Sequence, residues 1–155
     1  MTLLRITVHG VVGAQGSKRH VGGGVMVESS KAVKPWRQDV TAAAIEAAER
    51  QGWEPLRIPT FVRITFIFAR PKSHYRTGAR ASELRPDAPT TVITAPDIDK
   101  CLRSTFDALT TAGVIPDDRY IAGVTAQKVY AGNYDGQLLR PGAVITVSED
   151  PRRES

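Results

Sequence analysis

Alternating hydrophobic and polar positions predict strands near the start and in the middle of the chain. Leu4, Ile6 and Val8 alternate with polar neighbours, which is typical of a strand with one buried face. The run 61–69 (FVRITFIFA) is rich in β-branched and aromatic residues and predicts a buried strand. A short strand is predicted at 24–28, and we expect it to return alongside the first.

Two further strands are predicted in the C-terminal third of the chain, at 120–130 and 143–147. The residues 132–136 (GNYDG) between them have the composition of a tight turn. We therefore expect these two strands to pair with each other as a hairpin.

Hydrophobic residues recur at helical spacing in two segments. Those of the first helix, which Gly52 ends, include Trp36, Val40, Ala44 and Ala47. In the second segment, 96–113, they are Ile98, Leu102, Phe106 and Leu109, a spacing that predicts an amphipathic helix of about four turns. Together the elements predict a single α/β domain of mixed α+β character, with a mixed sheet of about five strands and two main helices.

The composition is typical of a globular intracellular protein. The chain has 155 residues, of which 41% are hydrophobic, enough for one domain with its own core. No apolar run approaches the roughly 20 residues of a membrane span, and the N-terminus lacks a signal-peptide core, so we expect a soluble, cytoplasmic protein. One cysteine and three histidines argue against a structural zinc site.

The charge distribution favours a polyanionic partner such as nucleic acid. The formal net charge is +5, and basic residues concentrate in two places. One is a glycine-flanked loop that contains Lys18 and Arg19. The other is the irregular segment 71–95 with the residue before it, whose basic residues are Arg70, Lys72, Arg76, Arg80 and Arg85. Irregular segments of this length are usually functional or disordered, so all of these residues are predicted DNA contacts, and a helical turn is expected at 80–84.

Aspartates lie at both ends of the second predicted helix. Asp97 and Asp99 stand at its start, and Asp117 and Asp118 follow its end. One interpretation is structural, because aspartate is a favoured helix cap and an Asp-Asp pair after proline is an ordinary turn sequence. The other is a metal site, because clustered carboxylates repel one another unless a hard divalent cation compensates them.

The spacing permits one joint site without requiring it. A helix of about 15 residues spans ~22 Å, which would separate Asp118 from Asp97. The residues from Gly113 to Asp117 recover at most ~18 Å when fully extended. The two ends meet only if the helix is shorter or the connection runs straight back along it.

Arg103 lies between the acidic ends, on the polar face of the helix. The i, i+4, i+8 spacing of Asp99, Arg103 and Asp107 predicts a surface salt-bridge ladder worth about 0.3–0.5 kcal/mol per pair. In the functional interpretation, Arg103 instead neutralises a phosphate in a transition state. Divalent ions held by carboxylates can stabilise the attacking and leaving oxygens of a phosphodiester, so an acidic site in a basic protein is the pattern expected of a nuclease.

The spacing of these residues resembles the signature of the RusA family of Holliday junction resolvases. That signature runs D-x-D-N, then a lysine three residues after the asparagine, then D-A-L, a glycine and a D-D pair. Here it reads Asp97-Ile98-Asp99-Lys100, Arg103, Asp107-Ala108-Leu109, Gly113, Asp117-Asp118. The loop 14–19 (AQGSKR) and the pair Trp36-Arg37 are also similar, so the resemblance covers most of residues 1–130.

The resemblance implies a homodimeric, Mg²⁺-dependent endodeoxyribonuclease, with Mn²⁺ as a substitute, that cuts branched DNA such as four-way junctions. Members of the family are often encoded by phages or prophages. It implies a RusA-like nuclease domain over 1–150, with 151–155 as a flexible tail. The metal would be held by Asp97, Asp99 and Asp118, with Asp117 beside the last, and these three would act in catalysis together with Arg103 and Lys100.

Two positions depart from the family signature. Lys100 replaces the asparagine, and Arg103 replaces the lysine. Arginine keeps the positive charge but cannot donate a proton, so Lys100 or a water molecule would take that role if the family lysine is a general acid. Two alternatives therefore stand beside the resolvase, namely a branched-DNA-binding protein without catalysis and a flap or replication-fork endonuclease.

Overall fold

The computed structural model describes residues 3–16, 18–20, 26–28, 31–150 and 152, and at 18–20 and 26–28 it describes the backbone alone. None of the helices in these ranges is both long enough and apolar enough to cross a membrane. The predicted tail, 151–155, lies outside the described residues except for Arg152, whose guanidinium pairs with Asp150 at 2.9 Å.

The main sheet and the two helices occupy the segments where hydrophobic spacing predicts them. The helices are α1 (Val33–Gln51) and α2 (Ile98–Thr111), and the strands of the main sheet are β1 (Leu3–His9), β4 (Thr60–Phe68), β5 (Ile121–Tyr130) and β8 (Gly142–Glu149). The residues that end the helices, Gly52 and Gly113, have φ values of 65° and 76°, a left-handed conformation that glycine adopts without a Cβ clash. The predicted fold class, a mixed sheet with two main helices, is confirmed, although the main sheet has four strands.

The smaller elements are two hairpins and three short 3-10 turns. The hairpins pair β2 (Lys18–His20) with β3 (Met26–Glu28) and β6 (Gly132–Tyr134) with β7 (Gln137–Leu139). The 3-10 turns are η1 (Lys72–His74), η2 (Gly78–Arg80) and η3 (Asp118–Tyr120). The helical turn in the loop therefore precedes the predicted position at 80–84.

Strand pairing corrects two of the predictions. The sheet order is β1-β8-β4-β5, so β4 separates β5 from β8 and these two strands do not form a hairpin. The turn at 132–136 instead closes the β6–β7 hairpin, within the connection that carries the chain across to the other side of β4. The strand predicted at 24–28 pairs with β2, its nearest neighbour in sequence, and not with β1.

The core lies between one face of the sheet and the two helices. Ile6, Ile145 and Ile64 occupy adjacent positions on three neighbouring strands, and all are fully buried. Trp36 of α1 packs on this row, and its indole N–H donates to Thr105 Oγ1 of α2 at 3.1 Å. Because β4 and β5 are parallel, a crossover must join them, and α2 is that crossover. This connection places α2 beside β5, the edge strand of the sheet.

Candidate functional site

The N-terminal end of α2 presents two exposed carboxylates. Asp97 is the N-cap residue, with extended backbone (φ −67°, ψ 141°), but its side chain makes no capping hydrogen bond. Its carboxylate lies 3.6 Å from Lys100 Nζ instead, and Asp99 follows in the first turn. The positive end of the helix dipole favours both charges. The capping interpretation of Asp97 therefore holds for its position and not for its side chain.

Lys128 of β5 holds the chain where it enters α2, a contact that sequence reasoning missed. Its Nζ donates to the carbonyl oxygens of Thr94 and Pro96, each at 2.9 Å. Lys128 pairs in register with Phe66, so both side chains point to the face of the sheet that carries the helices. The local sequence does not predict this contact, because Lys128 and the start of α2 are far apart in the sequence. The crossover connection brings them together in the fold.

The glycine-rich N-terminal loop packs on the same end of α2. The Gln15 amide donates to the Lys100 carbonyl at 3.0 Å, and Ser104 Oγ donates to the Gly13 carbonyl. A Cβ at Gly16 would lie 3.0 Å from Lys100 Cδ, so this glycine allows a close approach. The loop thus leads from the acidic end of α2 into β2, which contains Lys18 and Arg19. The side chains of those two predicted DNA contacts lie outside the described residues.

The other acidic pair lies at the C-terminal end of α2. Thr110 Oγ1 donates to Asp118 Oδ1 at 2.6 Å, and Asp117 Oδ1 accepts the Arg119 amide at 2.9 Å. Arg37 Nη1 lies 3.8 Å from Asp107 Oδ2 and donates to Gln15 Oε1 at 3.1 Å. The hydrogen bond from Thr110 attaches Asp118 to the last turn of the helix.

One chain keeps the two acidic ends apart. From Asp99 to Thr110, which binds Asp118, the helix rises ~16 Å. After Gly113 the chain turns back along the last turns of the helix, where the Leu109 carbonyl accepts from the amides of Val114 and Ile115 and where Asp117 and Asp118 line a cavity with Asp107. Accordingly, no group of three or more His, Cys, Asp or Glu side chains able to hold a metal forms within the described parts of the chain.

The predicted DNA contacts of the loop divide into two groups. Arg76, Arg80 and Arg85 line an open cavity of about 290 Å³. Arg76 lies 3.8 Å from Glu83, and Arg85 lies 3.6 Å from Asp87. Arg70 has structural contacts instead, since it lies 4.7 Å over the Tyr130 ring and donates to the Pro89 carbonyl at 2.7 Å. Lys72 is exposed in η1.

Backbone hydrogen bonds order this loop. The Arg76 amide donates to the Glu83 carbonyl at 2.8 Å, and the Arg85 amide donates to the His74 carbonyl at 2.9 Å. Residues 74–76 and 83–85 therefore form a small antiparallel ladder. The basic residues of the loop are therefore presented by a defined turn.

The family of this chain is identified by a comparison with models of protein families. A family model described as endodeoxyribonuclease RusA matches residues 10–137, which is most of the chain. The chain belongs to the RusA endodeoxyribonuclease family. It is therefore an enzyme of the class that cuts within DNA strands, as the aspartate spacing predicts. No protein with a curated description matches the chain.

In this RusA-family chain, the position of the signature lysine carries an exposed arginine. Among the described residues Arg103 forms no ion pair, and Asp107 pairs with Arg37 instead. The predicted Asp99–Arg103–Asp107 ladder is therefore wrong. The Arg103 guanidinium is exposed and available to an anion from solution, one turn after Asp99 on α2.

Tyr120, which directly follows Arg119 and lies two residues after Asp118, is a second feature that sequence reasoning missed. Hydrogen bonds from Arg119 and then from Arg57 lower the pKa of its hydroxyl. Arg57 lies in the connection between α1 and β4, more than sixty residues away in sequence. The paired starts of β4 and β5, Thr60 beside Ile121, bring these residues together.

Cys101, the one cysteine of this RusA-family chain, is buried in α2, which makes its thiol unreactive. Burial above all raises the pKa of its thiol from 9.0 to about 11; Lys128 lowers it by a smaller amount, and Asp99 and Asp97 raise it slightly. The folded state therefore favours the neutral thiol. Its contribution to the free energy of unfolding is complete below pH 9.0 and is lost as the pH rises through about 11.

We expect wild-type protein to lose about 2–3 kcal/mol more unfolding free energy than Cys101→Ala between pH 8 and pH 11, because only the wild type has this thiol to ionise. Urea denaturation of both proteins across this range measures the difference. Comparing the two pH slopes removes the tyrosine and lysine titrations that both proteins share. Parallel slopes above pH 9 would contradict the assignment.

Proposed function

We propose that this protein is a divalent-metal-dependent, homodimeric endonuclease that resolves four-way junctions and related branched DNA. The observation that carries the proposal is the separation of its two acidic pairs by the length of α2, beside a sheet edge that is free to pair. Because each chain holds half of a carboxylate site at each end of the helix, a two-fold dimer can complete two equal sites.

The open part of β5 supports a dimer through this edge. Among the described strands, β5 pairs only with β4, and only its far end, at Val129, has a bridge on the other side, to Thr91. Val124 lies on the face that carries the helices, yet it is 42% exposed, so the helices leave this part of the β5 edge uncovered. An unpaired strand with exposed apolar residues is a template for pairing with a second copy.

Antiparallel pairing of this segment with its copy supports a shared site. The start of one β5 would then lie beside the end of the other β5, and both helix layers would be on the same face. Asp118 stands just before the start of β5, whereas Lys128, near its end, binds Pro96 next to Asp97. Asp118 of one protomer would therefore approach Asp97 and Asp99 of its partner.

The donor set suits a hard divalent ion. Asp97, Asp99 and Asp118, with Asp117 beside the last, offer carboxylate oxygens, which Mg²⁺ and Mn²⁺ prefer. A bound divalent ion would supply an activated water and neutralise charge on the phosphate. Arg103 and Lys100 would hold the scissile phosphate from the side, and of the two only Lys100 could give up a proton, since arginine stays charged.

The basic side chains away from the carboxylates suit a role in DNA binding. Arg76, Arg80 and Arg85 face one cavity, and guanidinium groups bind phosphate oxygens with two parallel hydrogen bonds. With Lys72, Lys18 and Arg19 they would contact the strands that lead away from the cut. Two symmetric sites suit a substrate with two equivalent strands to cut, which favours a four-way junction over a flap or a fork.

Purified protein with Mg²⁺ should nick a labelled four-way junction, and EDTA should stop the reaction while leaving the DNA bound. Parallel reactions on a flap, a replication fork and a linear duplex of matched sequence rank the substrates, and we expect the junction to be cut fastest. Tight junction binding with no cleavage in Mg²⁺ or Mn²⁺ would favour the non-catalytic binder, an outcome consistent with Lys100 and Arg103 in place of the signature residues. Faster cleavage of the flap or the fork would identify the protein as a flap or replication-fork endonuclease instead.

A further inference from the structure

Two exposed arginines lie near one tyrosine where β4 and β5 begin. Arg119 Nη2 donates to Tyr120 Oη at 3.3 Å, and its Cζ lies 5.1 Å from the centre of the ring. The Arg57 side chain lies close enough to the same hydroxyl to lower its pKa. We call Arg57, Arg119 and Tyr120 the tyrosine-arginine cluster.

Neither of these two arginines is held in an ion pair with a carboxylate among the described residues. Both Arg57 and Arg119 are exposed. Asp118, which directly precedes Arg119, accepts from Thr110. Asp117 accepts the Arg119 backbone amide and acts on its guanidinium only through space. Two guanidinium groups held close together repel each other, and an anion between them would relieve that repulsion.

Most of the hydrogen-bonding capacity that is left in the cluster consists of donors. The Tyr120 hydroxyl accepts a hydrogen bond from Arg119 and still has its own hydrogen to donate. What remains is the hydroxyl hydrogen and the other N–H groups of the two guanidiniums, which carry no acceptor. A ligand with several oxygens and a negative charge fits this set, and a phosphodiester has both properties.

We propose that the tyrosine-arginine cluster binds one backbone phosphate of the DNA substrate, next to the phosphate that is cut. Arg119 follows Asp118 directly in sequence and in the same 3-10 turn, so the cluster lies beside the candidate cleavage site. The inference rests on the proposed function, because it needs DNA at Asp118. Its role is to set the register of the strand, since phosphate contacts position DNA without reading sequence.

The number of phosphates contacted can be counted from the salt dependence of binding. Junction affinity is measured in EDTA over a range of salt for wild type, Arg57→Ala, Arg119→Ala and the double variant. Each single variant should lower the slope of log affinity against log salt by about 0.9 per protomer, the value for one phosphate contact. The double variant should lose the same amount and not twice as much, because both arginines serve one phosphate.

Two variants serve as controls. Arg50→Ala removes an equal charge, but Arg50 is already paired with Glu46 at 2.9 Å on α1, so its salt slope should match the wild type. Arg119→Lys keeps the charge and should keep the slope. In cleavage assays the Arg→Ala variants should raise KM about tenfold, the size of one lost charged hydrogen bond, with kcat within about threefold of the wild type.

Several results would overturn the inference while leaving the nuclease function standing. They are wild-type slopes in both single variants, a double-variant loss that is the sum of the two singles, or stabilisation by millimolar inorganic phosphate that needs the arginines while the junction slopes stay unchanged. The last result would identify a site for free phosphate. If wild type itself neither binds nor cuts branched DNA, the proposed function fails first, and this inference fails with it.

Discussion

Mixing two inactive variants, Asp99→Asn and Asp118→Asn, is expected to restore cleavage. Each variant alone should lose activity by on the order of 10²–10³, the scale of one charged contact at a reacting group, while still binding the junction. In a dimer with shared sites, Asp99 of one protomer works with Asp118 of its partner. The mixed dimer therefore has one site with both defects and one intact site.

The size of the recovery follows from symmetry. Random exchange makes half of the dimers mixed, and each mixed dimer has one working site, so nicking should return to about one quarter of the wild-type level. The chains are coexpressed with two different tags so that mixed dimers can be isolated and assayed on the junction. Isolated mixed dimers should nick one strand of each junction and seldom both.

A matched pair of variants provides the control. Asp97→Asn and Asp99→Asn both damage the N-terminal end of α2, so a mixed dimer of these two has a defect in each site and should stay inactive. If isolated Asp99→Asn/Asp118→Asn dimers are as inactive as their parents, the carboxylates work within one chain. That result would require the start of α2 and η3 to move together on binding DNA, against the ~16 Å rise between them.

The second large effect is expected from Val124→Lys. A lysine on an open strand edge opposes pairing with another strand, because the approaching copy would have to bury its charge. Val124 is 42% exposed in the single chain, so the fold should tolerate the change at a cost of about 1 kcal/mol or less. We expect sedimentation equilibrium to give a monomer, and junction cleavage to fall in parallel by on the order of 10² because neither site is complete.

Leu3→Lys is the matched control for Val124→Lys. Leu3 is an exposed apolar residue, 52% accessible, on β1, which is the strand at the opposite edge of the sheet. This variant should remain dimeric and active. A dimeric Val124→Lys protein, or a monomeric one that cuts at the wild-type rate, would remove the β5 edge from the proposal.

Local patterns in the sequence were enough to predict the main elements and the residues at their ends. Hydrophobic spacing predicted β1, α1, β4 and α2 because burial of one face imposes its period on each element. Gly52 and Gly113 marked helix ends because a left-handed residue favours glycine. The spacing from Asp97 to Asp118 indicated the family, which the match over residues 10–137 confirmed.

The tertiary structure alone decided which strands pair and which side chains meet. The turn at 132–136 was correctly placed, but the predicted β5–β8 hairpin was wrong because a parallel partner, β4, lies between the two strands. A strand's pattern records that one face is buried and not which strand lies beside it. For the same reason, the contacts of Lys128 with Pro96 and of Arg57 with Tyr120 join residues whose local sequences are unremarkable.

For the aspartates, the sequence determined their positions on the helix and the tertiary structure determined whether they meet. The sequence by itself determined that two carboxylates stand at each end of one helix, because helix start and stop signals are local. Whether those ends meet depends on where the chain goes after Gly113, and the folded chain returns only to the last turns of α2, beside Asp107, Leu109 and Thr110. A rigid helix cannot bring its own ends together, so the distance along α2 is what makes a second protomer part of the proposed site.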